Sequence, residues 1–135
     1  MKAWSLYVLV LALLVTSASL FGQQNHANGP VPKYDPAAEK VFKGVVSEVR
    51  DRECPMSRGV GSHVMLTLED GSSIEVHLAP SKFVKIYELT FAKGDQLEVT
   101  GTKVNFEGVD TIFAREVKRG NDTFVFRDKE GKPVW

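Results

Sequence analysis

The chain has 135 residues, 43% of them hydrophobic and 25% charged, with 17 basic and 17 acidic side chains. That length holds one domain beside a targeting segment, and that composition excludes both a disordered chain and a multi-span membrane protein. The balanced charge lacks the basic excess with which nucleic-acid binders neutralise phosphates.

Residues 1–22, "MKAWSLYVLVLALLVTSASLFG", start with Lys2, run apolar from Leu6 to Val15, and end in the small residues Ser17, Ala18, Ser19 and Gly22. This is the order of a secretory signal peptide, with cleavage expected after Ser19 or Gly22. The run is short for a membrane span, which needs about 20 residues. An uncleaved anchor is the alternative, because Trp4 to Phe21 carries no charge. No cysteine follows Gly22 as a lipid acceptor. Cleavage removes one basic and no acidic residue, leaving a mature net charge of about −1. The expected chain is exported, periplasmic or extracellular, with no membrane span after cleavage, and its charge disfavours a nucleic-acid partner.

Residues 23–39 are polar and contain Pro30, Pro32 and Pro36, which predicts a disordered tether. From Lys40 the pattern turns to short β-type runs, and residues 40–135 are expected to form the folded domain. The first strand is predicted over 40–50, with Gly44 marking a bulge or sharp bend. Strands over 63–69 and 72–78 flank Asp70-Gly71, a hairpin signal. Residues 80–95 have closer to helical spacing, with Pro80 at the start and Gly94 near the exit. Phe83, Tyr87 and Phe91 recur every four residues, as on a helix packed against a barrel end. Strands resume over 96–104 and 109–119 around a turn at Phe106-Glu107-Gly108. "DTFVFRD" and "KPVW" around Gly131 predict a closing hairpin or a strand with a tail.

Three strands, one helix and two strands is the order of the OB-fold, a five-stranded Greek-key barrel, here with a short C-terminal β extension. Beyond this order, several stretches carry a resemblance. They are Gly94-Asp95, Val99-Thr100-Gly101, Ala114-Arg115-Glu116-Val117 and the ending Arg127-Asp128, Gly131, Pro133 and Trp135. Over Val41 to Trp135 the chain resembles exported bacterial OB-like domains, including those of some magnetosome-associated proteins. The resemblance implies the barrel, export and a binding or scaffolding role. It implies no catalytic residue.

The only cysteine, Cys54, sits in "ECPMSRGVGSH". An odd cysteine in an exported chain is a free thiol, a metal ligand or half of a partner disulfide. Strand alternation turns Val64, Leu66, Leu68, Ile74, Val76 and Leu78 to the core. His63, Met65, Glu75 and His77 then share the outer face. Pairing Val64 with Val76 sets His63 opposite His77 and leaves a three-residue loop with Gly71 in the left-handed position. In an OB-fold this outer face, rimmed by the first loop, is the usual ligand surface. That loop, read as Asp51 to Ser62, carries Cys54 and Met56. Thiol, thioether and imidazole together suit copper, above all Cu(I), or zinc, with Cys54, His63 and His77 as the metal set. The same residues are also explained without metal, as a loop thiol and surface histidines.

No catalytic constellation is located: a glycine-flanked nucleophile and a phosphate-binding loop are both missing. The expectation is a non-enzymatic OB-type module binding a protein, an oligosaccharide or another small ligand through Cys54, Met56, His63, Met65, Glu75 and His77. Soft-metal binding or delivery is the alternative, and single-stranded nucleic acid comes last.

Overall fold

A computed structural model describes residues 31–135; the expected signal peptide and the first part of the tether lie outside them. Six strands and one helix follow in order: β1 (Lys40–Cys54), β2 (Gly59–Leu68), β3 (Ser73–Pro80), α1 (Ser81–Ile86), β4 (Gln96–Phe106), β5 (Val109–Arg119) and β6 (Asp122–Val125). The sheet order is β3-β2-β1-β4-β5-β6, and a further parallel pairing of β3 with β5 closes the first five strands into a ring. Antiparallel neighbours with one parallel closure and a helix after β3 make this the OB-type barrel, with β6 as the extension.

Closure depends on β1. Its first part pairs with β4 from Lys40 to Val45, and its later part pairs with β2 from Gly44 to Cys54. Gly44 lies where the two ladders overlap, and a Cβ there would meet the Thr67 carbonyl and the Leu66 side chain. So Gly44 serves a close approach, and the register shift itself falls between Val46 and Glu48. The β2–β3 hairpin has the expected register, with Val64 opposite Val76, Leu66 opposite Ile74 and His63 opposite His77. Gly71 has a φ of 83° in the connecting turn, a backbone position that disfavours larger residues.

Two expectations need correction. The helical segment covers only Ser81–Ile86, not residues 80–95. The chain leaves the helix at Tyr87, Glu88 takes a φ of 53°, and Leu89 and Phe91 return to the core. Asp95 holds this return, accepting from the Ala92 N–H at 2.8 Å and from Arg119 at 3.2 Å. The first loop is also shorter than expected. Strand pairing continues to Cys54 opposite Gly59, leaving a 3-10 turn at Pro55–Ser57 with Arg58 in the left-handed region. Asp51, Arg52 and Glu53 belong to β1; their charge hides a strand end.

Alternation along β5 divides the interior in two. Ile112 and Ala114 join the barrel core with Val46, Leu66, Val76 and Val99. Phe113 points to the opposite side and packs with Cys54 and Phe106, with Tyr34, Met56 and Val104 against them. The residues before β1 lie along this second cluster. Tyr34 Oη donates to Glu39 at 2.6 Å, Thr102 Oγ1 donates to the Asp35 carbonyl at 2.9 Å, and Arg115 holds Glu39 through two bonds of 2.9 Å.

Candidate metal centre

Each member of the site is placed by a strand. Cys54 closes β1, His63 lies on β2 and His77 on β3. The pairing of His63 with His77 puts both rings on one face, and the tight turn after Cys54 brings its thiol to them. One ligand atom from each of the three lies within 4.8 Å of the other two. Metal–ligand bonds of about 2.0–2.3 Å hold such atoms roughly 3.5 Å apart, so side-chain rotations of about 1 Å close the set.

The face is not the open surface expected. His63 and His77 are each 1% exposed and Cys54 is 2% exposed. Phe113 and Trp135 pack beside His77, with ring centroids 5.9 and 6.1 Å away. An oligosaccharide would have to displace this cover to reach the three side chains. Gly61 forms part of the wall. A Cβ there would come within 2.7 Å of Ser57 Oγ, 3.0 Å of the His63 ring and 3.1 Å of Cys54 Cβ.

The hydrogen bonds define which ring nitrogens are free. His63 Nδ1 lies 3.1 Å from the Gly61 carbonyl. A carbonyl only accepts, so Nδ1 carries the proton and Nε2 carries the lone pair. His77 Nε2 lies 2.9 Å from Ser57 Oγ; protonated there, it donates to the hydroxyl and keeps its lone pair on Nδ1. His63 Nε2 and His77 Nδ1 are both buried with no hydrogen-bond partner. Buried polar atoms are nearly always paired, and orphans of this kind mark an ion site or a functional strain. A second nitrogen fixed by a carbonyl or hydroxyl is also how metal-binding imidazoles are oriented.

The surroundings keep both rings neutral, the form that binds metal. Burial drives the His77 pKa from 6.5 down to about 3, helped by His63, Arg127 and Arg52. Burial also lowers that of His63, against the pull of Glu75 and with a further push from Arg52. The folded pKa of His77 lies below its unfolded value, so its stabilising contribution is full above about pH 6.5 and is lost as pH falls toward 3. From pH 6.5 to 5, His77 alone should cost the metal-free protein about 2 kcal/mol. Urea melts of wild type and His77→Gln across this range test it: the variant should lose this slope, and parallel slopes would refute the assignment.

Two further donors flank the three. Glu75, 7% exposed, has Oε1 4.0 Å from His63 Nε2, but the same oxygen accepts from Arg52 Nε at 2.8 Å. Met56 packs against the cluster that contains Cys54, and its sulfur accepts from Arg127 Nη2 at 3.2 Å. Met65, opposite Glu75 on β2, is half-buried. Sequence reading missed Ser57, the Gly61 carbonyl, Arg52 and Arg127. Ser57 and Gly61 stand in the quoted loop, but no sequence signal tells which polar atom meets a ring nitrogen.

Fold and site together define an OB-type barrel with a buried thiol–imidazole cluster on the outside of its wall. The sequence profile of the MamS/MamX magnetosome protein family matches residues 38–124, and the chain belongs to that family. The match spans Cys54, Met56, His63 and His77 and stops before Arg127. No curated protein matches the chain. Among the described residues, no helix is long and apolar enough to cross a membrane.

Proposed function

We propose that this chain is an exported, non-enzymatic accessory module of the magnetosome protein family that holds a soft metal ion, copper or zinc, on Cys54, His63 and His77. Two observations carry the reading: His63 Nε2 and His77 Nδ1 are buried without partners, and one ligand atom each of Cys54, His63 and His77 lies within 4.8 Å of the others. Export is supported by residues 1–22, and the family name supports protein partners at the magnetosome. An ion that binds the folded form alone stabilises it by RT ln(1 + [L]/Kd), about 2.7 kcal/mol at a hundredfold excess over Kd.

The test is titration of reduced protein with Cu(I) and with Zn(II), each against a competing chelator. One equivalent should bind tightly and raise the melting temperature. A triple variant, Cys54→Ser with His63→Gln and His77→Gln, should show neither effect. Equal behaviour of wild type and triple variant would dismiss the metal reading.

A further inference from the structure

We infer that the site selects Cu(I) over Zn(II), with the thioether of Met56 as its fourth ligand and the point at which the ion enters. This rests on the metal reading above and specifies its ligand. Cys54, His63 and His77 are buried, whereas Met56 is half-buried and lines an open groove of about 390 Å³ with Tyr34, Arg127 and Gly131. Of the four donors, Met56 is the one that borders this groove.

The two flanking donors differ in how firmly they are held. Glu75, the hard oxygen donor that would suit zinc, is tied to Arg52 at 2.8 Å in a charge-assisted bond. Arg52 in turn reaches Glu107 at 3.3 Å. Freeing Glu75, 7% exposed, would leave its carboxylate buried without the cation that holds it. Met56 is held only by an N–H···S contact, and sulfur is a weak acceptor. Arg127, itself 5% exposed and with its Nε already unpartnered, gives up only this weak acceptor when the contact opens. It keeps the Gly131 carbonyl at 2.9 Å, and its Cζ stays 5.2–5.8 Å from the ring centroids of Tyr34, Phe113 and Trp135. The soft donor is thus the more weakly held of the two. A set of one thiolate, two imidazoles and a thioether is a copper set.

The experiment measures Cu(I) and Zn(II) affinities by chelator competition for wild type, Met56→Leu and Arg52→Gln. Leucine keeps the volume and apolar packing of methionine, so Met56→Leu is expected to fold. It should weaken Cu(I) binding about tenfold or more, the scale on which supporting groups act at metal sites, and leave Zn(II) nearly unchanged. Arg52→Gln should release Glu75 and strengthen Zn(II) relative to Cu(I). Copper-edge X-ray absorption should count two sulfur neighbours in wild type and one in Met56→Leu. Tight metal binding with equal losses for both ions, or no loss, in Met56→Leu would overturn this inference and leave the three-residue site standing. No metal binding by wild type would overturn both.

Discussion

Replacing Cys54 with serine should lower affinity for the bound ion by well over 100-fold, more than the roughly 10–100-fold that loss of an outer-shell partner costs. The thiolate is the only anionic ligand among Cys54, His63 and His77, and its loss removes both a bond and the charge that offsets the cation. His63→Gln and His77→Gln should each weaken binding strongly too, because each removes a partnerless nitrogen from the set. Thiol and imidazole must be unprotonated to bind, so affinity should also fall on acidification. The stability of the metal-free protein should change much less with serine, which nearly matches the shape of cysteine. Chelator-competition titration of wild type and the three variants reads this directly. Affinities unchanged across the set would make Cys54 a buried structural thiol and the histidines packing residues.

The second large effect concerns the core. Val99 is fully buried on β4, opposite Phe42 on one side and Val117 on the other. Val99→Asp would place a carboxylate with no partner in an apolar interior, where it must be neutralised or rehydrated at a cost of several kcal/mol. Domains of this size are stable by about 5–15 kcal/mol, so the variant should be largely unfolded. Thr67, on β2, is half-buried opposite Val45 and Ser73, and Thr67→Asp should cost less than about 1 kcal/mol. Denaturant melts showing the two variants equally stable would refute the assigned faces.

What was legible in the sequence follows the range of the interactions involved. The β2–β3 register was readable because it rests on period-two alternation and one turn glycine, both local. The element order was readable for the same reason, and it sufficed for the barrel. The short helix was not: Phe83, Tyr87 and Phe91 have helical spacing, but Phe91 reaches the core from a loop that Asp95 and Arg119 hold. The cover over the histidines was hidden as well. It includes Phe113 and Trp135, which lie far apart in the chain, and nothing local marks them as neighbours of His77. The sequence therefore identified Cys54, His63 and His77 as companions but placed them on an open face, whereas burial is what strips the ring nitrogens of water and keeps them neutral. Glu75 was placed on the correct face without its tie to Arg52, which decides whether it is available to an ion.

The most direct measurement is nitrogen-15 NMR of the histidine rings during titration of reduced protein with one equivalent of Cu(I) or Zn(II). His63 Nε2 and His77 Nδ1 should shift together to metal-bound values, His63 Nδ1 and His77 Nε2 should keep their protons, and the exposed imidazole of a denatured control should show no such pattern. Rings that stay unmoved through the titration, or that bind through the nitrogens facing Gly61 and Ser57, would contradict it.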